Sequence, residues 1–197
     1  HPYGKMAQIE DYDQVDRLNL IKFHTKYYHP GNLKIILSGK IKADSFKLIN
    51  TYLGNKDWEK NINIEEKMYP IQPLAEKKIF IPKQNALQSG IRMGKILFTK
   101  HHPDFFGMYI LNTILGGYFG SRLMSNIRED KGYTYGIGSG LVSMKHAGYL
   151  YISSEVGADV RKEAVKEIFK ELELLKKKPV SNEELDLVKN YLYGSFL

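Results

Sequence analysis

The chain has 197 residues, 43% hydrophobic and 26% charged, which is enough apolar material to bury a sizeable core and too much to remain disordered. No apolar run approaches the ~20 residues of a membrane helix and nothing resembles a signal peptide, so no membrane partner is expected; a chain that begins at His1 says nothing of its compartment. The lack of cysteine excludes disulfides, thiolate metal sites and a cysteine nucleophile, and the excess of 29 Lys plus Arg over 22 Asp plus Glu is spread among acids, as in the run from Arg161 to Glu167, a solvated helix face and not a nucleic-acid surface.

Helical spacing of Val15, Leu18, Ile21 and Phe23 predicts a helix from Asp13 to Tyr28, capped by Asp13 and ended by Pro30-Gly31-Asn32. Leu33 to Gly39 is a β-branched run closed by glycine and reads as a buried strand. A second helix follows from Asp44 to Leu53, with Phe46 and Leu53 on its apolar side. From Gly54 to Ala75 the pattern dissolves into Asn, Lys, Glu and two prolines, Pro70 and Pro73, which is linker composition.

Lys77–Pro82 and Ala86–Leu97 alternate well enough for two strands around a Lys-Gln-Asn turn. A helix from Asp104 to Leu115 should end at Gly116-Gly117, and Ser121 should cap the next one. Strands at Tyr133–Val142 and Gly148–Val156 precede two amphipathic helices, Asp159–Lys178 and one opened by Ser181-Asn182-Glu183-Glu184, which has capping-box form. Adjacent strand pairs favour antiparallel pairing, so the expected fold is α+β, a mostly antiparallel sheet with helices packed on one face.

The segment from Leu115 to Gly136 is the most specific. Its Leu115-Gly116-Gly117, Ser121-Arg122-Leu123, Arg128-Glu129 and Tyr135 resemble the LGG…SRL…RExxGxxY signature of the insulinase, pitrilysin and mitochondrial-processing-peptidase family, zinc metallopeptidases with the inverted motif H-x-x-E-H. His1-Pro2-Tyr3-Gly4 and the stretch from Phe23 through Tyr28, Pro30 and Asn32 to Gly39 resemble the family outside the signature. No H-x-x-E-H occurs in the chain.

The resemblance implies a metalloprotease-LuxS-like domain and a register in which residues 1–68 are the tail of a first family domain, 69–75 a linker and 76–197 the start of the second, zinc-free domain, the tail completing the sheet. It implies zinc and a general base in a partner domain or subunit, an unfolded peptide as substrate, and peptide hydrolysis by zinc-activated water, with this chain inert alone. Arg128 and Tyr135 match the arginine and tyrosine that the family brings to the scissile region from its zinc-free half, donors suited to an oxyanion. Tyr133, Gly116 and Gly117 are the candidate substrate contacts. Residues two apart share a strand face unless a bulge intervenes; Gly132 allows one, which would put Tyr133 on the face opposite Tyr135.

Blander readings stand beside these. Arg128 can pair with its acidic neighbours at a helix end, the tyrosines can be ordinary strand aromatics, and the two glycines can be a helix C-cap. A serine nucleophile at Ser121 has neither an elbow motif nor a neighbouring histidine. His24 and His29, five apart, lie about 140° apart on a helix, and the other histidines are scattered, so no metal ligand is assigned. Two further functions remain open: a catalytically dead scaffold subunit of the same family, and a basic α+β binding module. The bacterial cytoplasm or periplasm is the expected compartment.

Overall fold

A computed structural model describes residues 2–54, 67–72 and 76–195. The chain divides into two compact units, His1–Lys77 and Lys78–Leu197.

The first unit contains helices α1 (Ile9–Asp13), α2 (Arg17–Tyr27) and α3 (Asp44–Leu53). Asp13 ends α1 and does not cap α2; Asp16 does, its carboxylate accepting the Asn19 N–H at 2.6 Å, because a cap must sit where the backbone is still extended, and Asp16 does so with ψ 173°. The strand expected at Leu33–Gly39 is not formed. Leu33 is extended, with φ −99° and ψ 133°, but a strand exists only as part of a ladder, and residues 33–38 pair with no other described residue. Apolar residues of this unit lie open: Leu18 is 64% exposed and Ile36 90%. His29 is its one buried residue among those described.

The second unit is an antiparallel sheet under helices. Strand β1 (Gln88–Leu97) and the hairpin β2 (Thr134–Ser143) and β3 (Gly148–Gly157) pair in the order β1-β3-β2. The expected Lys77–Pro82 strand is absent here too, and Ile79 and Ile81 lie exposed. Helix α4 (Phe105–Asn112) runs on as a π-helical stretch, Thr113–Gly117; a short helix from Arg122 becomes a second π stretch, Met124–Asp130; α5 (Arg161–Lys177) and α6 (Asn182–Gly194) close the chain. Ser181 caps α6 through the Glu184 N–H, as its sequence requires.

One face of the sheet carries the core. The register places Ile91 opposite Ser154 and Ser154 opposite Ile137 across the three strands. Against that face pack Leu115, Leu123 and Ile127 from the helical segments, with Ala164 and Ile168 from α5. Alternation with period two sends the next residues, Arg92, Ser153 and Gly138, to the other face.

Candidate functional site

The segment 122–130 is fastened at three points. Arg122 makes a bidentate bond to Glu184 of α6, Nε to Oε1 at 2.7 Å and Nη2 to Oε2 at 2.6 Å. That contact holds the Glu184 carboxyl below its ordinary range and raises the guanidinium. Asn126, one turn on, donates to Glu167 at 3.0 Å and Glu171 at 2.6 Å on α5, and this hydrogen bond is the main cause that lowers the Glu167 carboxyl. Between them Leu123 and Ile127 are fully buried.

The helix then closes in a wider turn than an α-helix allows. Lys131 N–H reaches the Asn126 carbonyl five residues back, Gly132 N–H reaches Arg128, and Tyr133 N–H reaches Ile127, six residues back, at 3.0 Å. Gly132 makes the reversal in the left-handed region, φ +65°, where a side chain is strained. The chain leaves it directly into β2.

At the start of β2 the ladder slips: Thr134 faces Val156 but Ile137 faces Ser154, so Tyr135 and Gly136 together oppose Glu155. Gly132 allows a bulge, and one forms three residues further along the chain. Thr134 fills it. Its hydroxyl donates to the Glu155 carbonyl at 2.6 Å and accepts from the Gly136 N–H at 3.1 Å. Tyr133 consequently packs half-buried against the core, while Tyr135 stands 92% exposed.

Both tyrosines and Arg128 line one open hollow of about 840 Å³ at this end of the sheet, with Glu129, Lys131 and Asp159 also in its wall. A second hollow of about 310 Å³ shares Tyr135 and Glu155 and adds Arg92, whose guanidinium lies 3.5 Å from Glu155. The Arg128 guanidinium donates to Glu129 at 2.7 Å and lies over the Phe119 ring, its central carbon 4.7 Å from the centroid. The helix-end pairing of Arg128 with an acidic neighbour is therefore present, and it leaves the arginine on the wall of the hollow.

Gly116 and Gly117 are not in that wall. Neither has a positive φ, so they do not form the left-handed C-cap. Gly116 is buried against β2, where an added Cβ would stand 2.7 Å from the Ser139 nitrogen; close approach of helix to strand is what requires glycine here. Ser121 accepts the Ser125 N–H through its carbonyl, as a cap residue does, but its hydroxyl is buried with no partner among the described residues, so the side-chain cap is not made and no base attends it.

Sequence reasoning missed Phe119 and Thr134. An aromatic between two glycine-rich turns and a threonine at a strand start are faint signals, since their roles come from an arginine nine residues away and from a slipped register. For zinc the donor set does not fit: among the described residues no group of three or more His, Asp and Glu converges, and there is no cysteine. No helix of the described residues is long and apolar enough to cross a membrane.

The chain is 26% identical over 180 residues to YmxG of Bacillus subtilis, named an uncharacterized zinc protease, covering 91% of this chain and 42% of that protein. It is 27% identical to the non-peptidase homolog YmxG of Helicobacter pylori over 86% of this chain and 39% of the other. Among solved structures, the peptidase M16 inactive domain from Pseudomonas fluorescens superposes with a TM-score of 0.84 at 27% identity, covering 99% of this chain and 47% of that one. The chain thus spans less than half the length of these proteins. Residues 14–192 match the family described as the peptidase M16 inactive domain, and the chain belongs to that family.

Proposed function

We propose that this chain is the peptide-contacting, zinc-free portion of a zinc metalloendopeptidase whose metal and general base lie in another portion or subunit of the same family. On this reading residues 1–68 are the tail of a preceding family domain, 69–75 a linker and 76–197 the start of the zinc-free domain, and the extended segment around Leu33–Leu37 supplies a strand to complete a sheet. The apolar surface left open along α2 and at Ile36 supports it.

The observation that carries the site assignment is that Arg128 and Tyr135, seven residues apart, line one hollow while the helix bearing Arg128 is fastened on its other sides by Arg122, Asn126 and Ile127. A peptide crossing the hollow meets a guanidinium and a phenol, both able to donate to a carbonyl oxygen as it gains negative charge. Donors fixed before the substrate arrives cost no reorganisation during the reaction, which is why the rigid mounting matters.

The test joins this chain to its zinc-bearing portion and measures peptide hydrolysis. Arg128→Ala and Tyr135→Phe should each lower turnover by ~10² with folding intact; wild-type turnover in both would refute the assignment. A second reading, a scaffold without catalysis, is favoured by one fact, that a relative of similar identity is named a non-peptidase homolog. It predicts no hydrolysis by the complete protein under any zinc supply.

A further inference from the structure

Phe119 has no obvious reason to be where it is. It sits between Gly117 and Ser121, 66% exposed and outside the core cluster, so burial does not hold it there. Its neighbour Tyr118 faces α6, its ring tilted against that of Tyr191 at 5.0 Å between centroids, and that contact anchors the loop. With Tyr118 anchored, the Phe119 ring meets the Arg128 guanidinium at 4.7 Å.

Arg128 needs such a neighbour. Its hydrogen bond among the described residues is to Glu129, the next residue in the chain, and a long side chain tied only to its own neighbour can still turn about its remaining bonds. A ring against the flat face of the guanidinium removes that freedom through cation–π attraction. With its central carbon over the ring and Nη1 on Glu129, the guanidinium keeps the donors of Nε and Nη2 unpaired among the described residues, and it belongs to a side chain that lines the hollow.

We propose that Phe119 is a positioning residue for Arg128, an aromatic plate that sets the plane of the guanidinium so that its unpaired donors meet a peptide carbonyl; this rests on the reading of Arg128 given above. Phe119 itself donates nothing and touches no reacting atom. Its contribution is aromatic and not merely apolar, which separates it from a packing role. Because the ring is mostly solvent-exposed, its replacement leaves the core untouched.

The experiment compares Phe119→Leu, Phe119→Trp and Arg128→Ala in the complete protein with its zinc-bearing portion. Phe119→Leu should lower kcat about five- to tenfold with KM within about twofold, Phe119→Trp should restore it, and Phe119→Leu should add less than about twofold when Arg128 is already Ala. A readout independent of activity is the nuclear magnetic resonance of the Arg128 Nε–H in this chain: the ring-current shift should vanish in Phe119→Leu and persist in Phe119→Trp. Wild-type turnover in Phe119→Leu, an equal loss with and without Arg128, or an unmoved Nε–H resonance each overturns the proposal. If Arg128→Ala leaves turnover unchanged while the resonance responds as expected, the role assigned to Arg128 in catalysis falls and the positioning contact stands.

Discussion

Removing the Arg122–Glu184 clamp offers a quantitative test of how the site is mounted. Two charge-assisted bonds of 2.7 and 2.6 Å are worth about 1.5–3 kcal/mol each in full burial, but the side chains keep 21% and 28% of their exposure, so solvent screening reduces the net contribution to about 1–2 kcal/mol. Arg122→Ala should therefore lower the thermal midpoint of the second unit by about 3–8 °C at pH 7. Glu184→Gln should cost about as much, and the double variant little more than either single, because the two side chains share one interaction. Only Glu184 titrates in the accessible range. Its folded value lies below the ordinary 4.5, so the stabilisation is fully present above about pH 4.5 and is lost as pH falls through the folded value. The assay is thermal unfolding by circular dichroism from pH 3 to 8 on all four proteins. Additive losses at pH 7, or a wild-type advantage over Glu184→Gln that survives undiminished at pH 3, would refute the reasoning.

Ile127→Ala should destabilise the second unit by about 2–5 kcal/mol, read from denaturant midpoints, since the side chain is fully buried between the sheet and α5. Gly132→Ala should cost about 1–2 kcal/mol by the same measurement; nothing stands within 4 Å of the added Cβ, so the φ of +65° supplies the penalty alone. Tyr135→Phe, at a side chain 92% exposed, should leave the unfolding midpoint within about 0.5 kcal/mol; a large shift would mean that its loss of turnover reports unfolding. Purified by itself, this chain should hold far less than one zinc per molecule by elemental analysis, and a stoichiometric, tightly held ion would overturn the assignment of the metal to another portion.

Elements with their own caps and periodicity were legible from sequence. The strands β2 and β3, and the helices α5 and α6, lie within a residue or three of where alternation, Ser181 and the helical repeat put them, because those signals are local. Leu33–Gly39 and Lys77–Pro82 have equally good strand composition and form no strand, since a strand is completed by a neighbour that composition does not specify. At the site, the resemblance to the family signature picked out Arg128 and Tyr135, two residues of one hollow. The π stretch did not show itself, and Gly132 allowed a bulge without placing it, because each is a one-residue slip in a hydrogen-bond pattern that residue type does not locate. Ser121 shows the opposite error: its residue type suits a cap, yet its hydroxyl is buried with no hydrogen-bond partner among the described residues.

The π stretch Met124–Asp130 makes the site sensitive to chain length in a way that substitutions would not expose. A π turn holds one residue more than the α turn it replaces, and each residue added to or removed from a helix rotates everything beyond it by about 100°. Ile127 must face the core and Arg128 the hollow, so a deletion of one residue between Met124 and Gly132 forces one of them out: either the core opens or the guanidinium swings off the wall. Ser125 and Asp130 point to solvent and can change identity freely. In a lineage drifting from hydrolysis toward a silent structural role, the loss of a single codon here would disarm the site at one stroke.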